Sequence, residues 1–389
     1  MSTRRFTTLT VLGGLGLGLA PSAHARITFD FDYSLDGPTG FFATNPAAKT
    51  ALQQASTVYS DRLIDQLAAI TPGGGNTWTA KFNSPSTGQA VTFTDLTIPA
   101  NSLKIYIGAR PLAGELANGG IGGLTASGTS DFLNAAVYRG QLGNTLTPPT
   151  DFARWGGTIE FDNTMNWNFD LAAPHAGQQD FLSVATHELA HVIGFGTGDT
   201  WKKNYAKPGS GFFSGPKAQA LYGGPVPLDV NGAHFNNGIQ STAGGVPQET
   251  LMDPDITTGT RKYITLLDLA ALDDLGWDLA RPGDANADGT VNFNDLLLLA
   301  SNYNSQTRRW AFGDFNADGA VNFNDLLLLA QNYNTSGPQP ADLPTLTSPD
   351  FAAAWSAAEA AVPEPTSIAF ISLAATPLLT TRRGRRRRT

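Results

Sequence analysis

The segment from Asp180 to Thr197, DFLSVATHELAHVIGFGT, constrains the fold of this chain more than any other. Its apolar residues recur at helical spacing after an aspartate that can cap a helix, so it predicts an amphipathic helix. His187 and His191 are four residues apart and therefore lie on one face of that helix, where two imidazoles can share one metal ion. Glu188 lies about 100° around the helix from His187, near such a metal without having to bind it.

The pattern His-Glu-x-x-His at positions 187–191 indicates a metal site whose glutamate takes a proton from a water molecule made acidic by zinc. The alternative is a buried helix with two incidental histidines. Chance matches to this pattern are rare in a chain with only five histidines, which favours the metal site.

A tetrahedral zinc site of this kind needs one more protein ligand besides the two helical histidines. His175, just ahead of the helix, would need the chain to fold back, whereas His234 lies between glycine-rich loops that can return it to the helix. Asp199 is near in sequence, and a carboxylate such as Glu249 is a further candidate. We favour His234, and the other three residues remain alternatives.

Composition indicates a globular, loop-rich protein, because 41% of the 389 residues are hydrophobic and 15% are charged. This length allows one large domain and small appendages. The absence of cysteine excludes disulfides and thiolate ligands. The net charge of −8 includes eight arginines in the two end segments, so removal of those ends leaves a more acidic chain and argues against nucleic acid as a partner.

The two ends of the chain predict export. Residues 1–25 combine a basic start, a short apolar run and an Ala-x-Ala site, which predicts a signal peptide cleaved after Ala25. Residues 362–389 contain Pro-Glu-Pro, an apolar run and six arginines, an order typical of a stop-transfer segment or a plain membrane anchor. This segment resembles the PEP-CTERM sorting tail of certain Gram-negative-type bacteria. The resemblance implies processing by an exosortase, transient membrane anchoring, and a final place at the cell surface or in the extracellular matrix.

Residues 26–280 are interpreted as one α+β domain. Alternating apolar residues predict strands over 27–33, 91–96, 103–107 and 157–161, and a glycine-rich loop is expected over 114–128. Helical spacing predicts helices over 46–67 and 264–277, besides the helix that carries the two histidines.

Several motifs after the histidine helix carry a resemblance to a known family. The pattern HExxHxxGF is followed by Gly-Ala-His-Phe at 232–235, by Leu-Met at 251–252, and by LAALDDLGW at 269–277. Residues 187–277 thereby resemble a leishmanolysin-like bacterial metzincin. The resemblance implies a two-subdomain zinc peptidase, with a mixed sheet and active-site helix followed by a C-terminal helical subdomain. In such peptidases an edge strand above the active helix pairs with the substrate.

The same resemblance assigns roles to individual residues. His187, His191 and His234 would hold one catalytic zinc, Glu188 would act as general base, and Met252 would be the structural methionine beneath the metal. Two positions depart from the commoner pattern of the family. Thr197 stands where the short form has its third ligand, and Phe235 replaces a frequent tryptophan.

The predicted function is therefore an exported zinc-dependent endopeptidase that acts on a protein or peptide substrate. A gluzincin-type peptidase with Glu249 as ligand is one alternative. Another is a calcium-dependent cell-surface or matrix protein with an inactive peptidase-like domain. The intact Glu188 argues against an inactive domain, because a degenerate site has no reason to keep its base.

A repeat of period 30 predicts two calcium loops, at 284–295 and 314–325. Each loop reads Asp-x-Asn-x-Asp-Gly with an aspartate at position 12, so oxygen ligands fall at positions 1, 3, 5, 7 and 12 and a glycine supplies the bend at position 6. The predicted ligands are Asp284, Asn286, Asp288, Thr290 and Asp295 in the first loop, and Asp314, Asn316, Asp318, Ala320 and Asp325 in the second.

The repeat resembles a type I dockerin, since each loop ends in aspartate and lacks a helix before it. We assign it to residues 281–335 as a small all-α unit, followed by a linker over 336–361. The resemblance implies two calcium ions and a cohesin-like partner contacted at positions 10 and 11 of each loop. Those positions hold Phe293-Asn294 and Phe323-Asn324 instead of the common Ser-Thr pair, which argues against an ordinary cohesin.

Overall fold

The computed structural model describes residues 26–146, 149–205 and 211–338. The predicted signal peptide, the tail over 362–389 and all but the first residues of the predicted linker lie outside these ranges. Within them, no helix has the length and apolar character needed to cross a membrane.

The chain forms fifteen strands and nine α-helices among the described residues. The first half contains β1 (Thr28–Asp32), α1 (Phe41–Thr44), α2 (Pro46–Ser60), β2 (Thr77–Asn83), β3 (Ala90–Thr94), β4 (Ser102–Arg110), β5 (Ala117–Ile121), β6 (Gly123–Ser127) and α3 (Ser130–Tyr138). A short 3-10 helix (Leu142–Thr145) follows, and then β7 (Gly156–Asp162), β8 (Trp167–Asn168), β9 (Gln179–Asp180) and α4 (Phe181–Val192).

The second half has shorter elements. It contains α5 (Asp199–Lys203), β10 (Phe212–Phe213), α6 (Pro216–Tyr222), β11 (Val226–Pro227), β12 (Gln240–Ala243), β13 (Val246–Glu249) and α7 (Leu266–Asp274). The last part contains β14 (Thr290–Val291), α8 (Phe293–Ser301), a 3-10 helix (Trp310–Phe312), α9 (Phe323–Asn332) and β15 (Thr335–Ser336).

A four-stranded sheet of order β1-β4-β7-β5 forms the centre of the first domain. Strands β1, β4 and β7 are parallel, and β5 runs antiparallel to β7 at the edge. Because side chains alternate along β4, Ile105 and Ile107 face the core around α2 and α4, while Tyr106 packs against the separate sheet β3-β2-β6. The domain therefore has three layers, with α2 and α4 packed together on one face of the main sheet and the sheet β3-β2-β6 on the other.

The expectation of a glycine-rich loop over 114–128 is wrong, because this segment contains β5 and β6. The glycines serve close packing: a Cβ at Gly119 would lie 2.4 Å from the backbone oxygen of Glu188, and one at Gly122 would lie 1.9 Å from the ring of Trp155. The predicted strand 157–161 is β7, which is paired on both sides. The edge strand beside α4 is thus β5.

The helix predicted over 46–67 ends earlier, at Ser60. Beyond it the backbone pairs with distant segments: Ile64 donates to the oxygen of Asp278 at 3.0 Å, and the oxygen of Leu67 accepts from Asn101 at 2.9 Å. These tertiary bonds replace the last helical turns that local spacing predicts.

The C-terminal repeat packs around a second small core, which is centred on Leu296, Leu299, Trp310 and Leu329 and also includes Ile64. The prediction of an all-α unit ending at residue 335 is wrong in two details. Strand β15 pairs with β14, Val291 with Thr335 and Thr290 with Ser336. The fold also extends beyond residue 335, since Gly337 donates to the oxygen of Gly289 at 2.7 Å.

Candidate functional site

Helix α4 and the segment around His234 bring three imidazoles together. The Nε2 atom of His191 lies 3.1 Å from Nε2 of His187 and 3.0 Å from Nε2 of His234. Among the described residues, these three histidines form a group whose nitrogen atoms could hold one metal ion. Gly196 allows the approach, because it has φ +72° and a Cβ there would lie 2.2 Å from the oxygen of Ala233.

The Nδ1 atom of each histidine is hydrogen-bonded to an oxygen atom. Nδ1 of His187 donates to the oxygen of Leu251 at 2.8 Å, and Nδ1 of His191 donates to the oxygen of Phe195 at 2.8 Å. Nδ1 of His234 donates to the carboxylate of Asp229 at 3.3 Å. Carbonyl and carboxylate oxygens only accept, so each Nδ1 carries a proton and each Nε2 atom is left facing the other two.

When such rings are neutral, their Nε2 lone pairs repel each other unless a cation lies between them, which is the arrangement of a metal site. Burial and the neighbouring histidines lower the pKa of His187 well below its usual range, and burial lowers that of His191 to about 4. Both rings are therefore neutral at pH 7. A tetrahedral zinc with bonds of about 2.0–2.1 Å needs ligand nitrogens roughly 3.3 Å apart. The observed spacings fit zinc after a movement of a few tenths of an ångström.

Glu188 lies beside the three histidines without belonging to their group. Burial raises the pKa of its carboxyl to about 8, while a hydrogen bond from the backbone of Gly119 acts in the opposite direction. Glu115 and Glu160 add to the rise by charge repulsion. Such a carboxyl group is poised to exchange a proton near neutral pH.

The histidines and Glu188 lie in a cleft of about 660 Å³. One wall is formed by residues 114–119, which include the start of edge strand β5. The opposite wall is formed by residues around Asp229–His234 and by residues 251–256. An extended chain that entered the cleft would run alongside the free edge of β5.

Met252 lies in a tight turn beneath the histidines and is 1% exposed. The turn contacts both ligand segments, since Leu251 accepts from His187, and the oxygen of Met252 accepts from the backbone of Phe235 at 3.0 Å. Met252 packs in the apolar core of the first domain.

Asp268, a residue that the sequence analysis missed, holds this turn in place. Its buried carboxylate accepts from the backbone of Leu251 at 2.9 Å and of Met252 at 3.1 Å. It also accepts from the backbone and hydroxyl of Thr265, with which it forms the capping box of α7. The spacing Thr265-x-x-Asp268 before an apolar run was the signal that could have indicated it.

Replacing Asp268 by alanine is expected to lower the free energy of unfolding by about 3 kcal/mol or more, because it leaves several buried N–H donors without an acceptor. Denaturant unfolding followed by tryptophan fluorescence measures the change. Asp131→Ala, which removes an exposed aspartate from the first turn of α3, is the matched control and should change little. Equal stability of the two variants would contradict the role given to Asp268.

A second residue not singled out from the sequence, Arg261, fixes the start of α4. Asp180 caps the helix by accepting from Ser183, and it is fully buried. Arg261 donates to both oxygens of Asp180, at 2.8 and 3.0 Å, and to the oxygens of Asp170 and Leu171. This two-pronged ion pair joins the helix carrying His187 to the segment that follows the methionine turn.

The alternative ligands point elsewhere. Thr197 donates its hydroxyl to the oxygen of His191 at 2.7 Å. Asp199 pairs with Arg154 at 3.2 Å, and its side chain is 66% exposed. His175 pairs with Asp170 on the surface, and Glu249 pairs with Lys262.

Both predicted calcium loops contain buried carboxylates, and those of the second loop lie close together. Oxygens of Asp314, Asp318 and Asp325 lie within 4.8 Å of one another, and Oδ1 of Asp314 is buried with no hydrogen-bond partner among the described residues. Burial, with repulsion from Asp325 and Asp318, raises the pKa of Asp314 to about 7. Burial raises those of Asp284 and Asp295 in the first loop to about 6 and about 7. A divalent cation would satisfy these oxygens, so the loops fit calcium.

Comparison with known families bears on this C-terminal unit. Residues 282–338 match the family model of the dockerin type I domain. This unit is a dockerin domain. Domains of this type bind calcium and cohesin partners, which supports the predictions of calcium and of a cohesin-like partner. The matched range includes both residues of β15, whereas the predicted boundary at residue 335 falls inside this strand. No curated protein and no solved structure matches this chain.

Without calcium, the dockerin domain is expected to be more stable at pH 5 than at pH 8. Its buried aspartates have folded-state pKa values above the unfolded value, so the folded state holds more protons and loses stability as pH rises from about 4 to about 7. Excess calcium should reverse this order, because bound calcium requires ionised carboxylates. Hydrogen exchange of residues 282–338 at both pH values, corrected for the intrinsic rate, measures the effect. A calcium-free domain that gains stability with pH would contradict it.

Proposed function

We propose that this protein is a zinc-dependent endopeptidase exported from the cytoplasm. The observation that carries the proposal is the convergence of three Nε2 atoms beside the carboxyl of Glu188, inside a cleft bordered by a sheet edge. His187, His191 and His234 are the proposed ligands. Bound zinc would supply Lewis acidity to the scissile carbonyl and to the attacking water.

Glu188 is proposed to move the proton. Its carboxylate accepts a proton from the attacking water and passes it to the leaving amine nitrogen. The backbone of β5 is proposed to position the substrate by strand pairing along its free edge.

The experiment is hydrolysis of casein by the zinc-loaded full chain in excess calcium. Activity should disappear with 1,10-phenanthroline and return when zinc is restored, while calcium keeps the dockerin domain folded throughout. A protein that contains one zinc and hydrolyses neither casein nor a set of unstructured peptides would instead support the alternative of a non-catalytic surface protein. The gluzincin alternative has no support from Glu249, which is paired with Lys262.

For the dockerin domain we propose two bound calcium ions, one in each loop. Isothermal titration of the full chain should give two calcium ions for the wild type and none for the double variant Asp295→Ala, Asp325→Ala, which removes a buried ligand from each loop. Zinc stoichiometry, measured by elemental analysis, should stay at one in both proteins. Calcium binding by the double variant equal to that of the wild type would contradict the assignment.

A cohesin-like partner is proposed to contact the dockerin domain through Phe293 and Phe323. These rings are 37% and 64% exposed and occupy equivalent positions in the two loops, which suits a partner that binds in either of two orientations. The proposed location, at the cell surface or in the extracellular matrix after exosortase processing, rests on the motifs in the two ends of the chain.

A further inference from the structure

The dockerin domain is seated on the first domain through a polar and aromatic contact. Arg309 donates to Asp61 at 2.9 Å, and the buried guanidinium of Arg62 lies 4.8 Å from the ring centre of Trp310. Ile64 belongs to the same apolar cluster as the dockerin core. Side chains from just after α2 thus complete the core of the C-terminal unit, which ties the two domains together.

The second calcium loop also contacts a hairpin that leads to the cleft. Gly244, in the turn between β12 and β13, lies so close that a Cβ there would be 2.4 Å from Cα of Asp318. Arg308 donates to the oxygen of Ala317, and its guanidinium lies 3.8 Å from the ring centre of Tyr263. Asp318, at position 5 of this loop, therefore contacts the hairpin, and Ala317, at position 4, is connected to Tyr263 through Arg308.

Two short paths connect this contact to the metal-binding residues. Strand β13 ends at Glu249, two residues before Leu251, whose oxygen accepts from His187. Gln248 of β13 donates to the oxygen of Tyr263 at 2.7 Å. Next to Tyr263, Lys262 donates its backbone N–H to the hydroxyl of Ser183, in the first turn of α4, at 2.9 Å. The hairpin, Tyr263 and the start of α4 are thus one hydrogen-bonded unit.

Three carboxylates of the second loop form a candidate cation site. Asp314, Asp318 and Asp325 repel each other when ionised, and Oδ1 of Asp314 has no hydrogen-bond partner among the described residues. Bound calcium would remove this repulsion at Asp318, which meets Gly244 and directly follows Ala317, the acceptor of Arg308.

We propose that the dockerin domain is an internal brace of the cleft: calcium bound in its second loop orders the β12–β13 hairpin and Tyr263, and through them the methionine turn and the start of α4. Calcium is then an effector of the metal-binding cleft as well as a structural ion of the dockerin domain. The ordering itself is independent of peptide hydrolysis, so the proposal can be tested separately from the proposed function.

The test is hydrogen exchange measured by mass spectrometry on the zinc-loaded full chain, with and without calcium. Removal of calcium should speed exchange in peptides covering 240–252 and 181–192 by about three- to tenfold. In calcium, Arg308→Gln and Tyr263→Leu should each produce most of this change, because either removes the cation–π contact from one side. Arg281→Gln is the matched control, since Arg281 donates within the dockerin domain to Ser336 and Gly337.

The outcomes are distinct. Faster exchange near the cleft in both contact variants, with wild-type exchange in Arg281→Gln, supports the brace. A calcium effect confined to residues 282–338, or contact variants that match the wild type at 240–252, overturns it. Because the two contact variants alter different domains, a folding defect in one leaves the other as a valid test.

Discussion

Replacing Glu188 by glutamine is expected to reduce casein hydrolysis by at least about a hundredfold while zinc remains bound. The carboxylate lies beside the three Nε2 atoms but outside their group, so its loss removes the proton acceptor and spares the ligands. Glutamine keeps the size of the side chain and cannot accept the proton. Zinc content by elemental analysis and turnover of casein are the two measurements.

Glu115→Gln is the matched control for this variant. Glu115 lines the same cleft, is exposed, and adds by charge to the raised pKa of Glu188, so its replacement makes the same change in net charge. It should retain most of the activity. Near wild-type turnover by Glu188→Gln, or an equal loss in both variants, would show that Glu188 is not the base.

The parts of this site that could be predicted are those encoded within a few residues. The helix of His187 and His191 follows from apolar spacing and a capping aspartate, and α4 indeed begins after Asp180. The calcium loops follow from ligand spacing inside twelve residues, and the dockerin match covers them. In both cases the ligands and the backbone that presents them are neighbours in sequence.

The parts that could not be predicted depend on contacts between distant segments. Gly119 occurs in a strand because its missing side chain lets β5 approach α4. In the sequence this position is visible only as part of a glycine-rich run. Asp268 and Arg261 act on the site across 16 to 81 residues of sequence. The spacing Thr265-x-x-Asp268 marks the cap of α7, but nothing in it indicates the bonds from Asp268 to the methionine turn. The contact of the dockerin domain with Asp61 and Arg62 likewise depends on tertiary structure.

His234 was predicted in part. Elimination of other residues and the family resemblance indicated it as the third ligand, but only tertiary contacts place its side chain beside α4. Asp229 accepts from the backbone of Ala233 and His234 and from Nδ1 of the ring, which holds the imidazole toward α4. Asp229 is thus an outer partner that fixes the tautomer of a proposed ligand. This arrangement predicts that variants of the metal site lose zinc affinity to different degrees.

His234→Ala is expected to lower zinc affinity by more than about a hundredfold and to abolish hydrolysis, because loss of even an outer partner typically costs 10- to 100-fold. Asp229→Asn should show that smaller loss. His175→Ala, which removes a surface histidine paired with Asp170, and Asp199→Ala should both retain one zinc. Competition with a chromophoric chelator gives the affinities, and circular dichroism shows that each variant is folded. If His234→Ala retains zinc and either Asp199→Ala or His175→Ala loses it, the third ligand is the residue whose replacement releases the metal, and not His234.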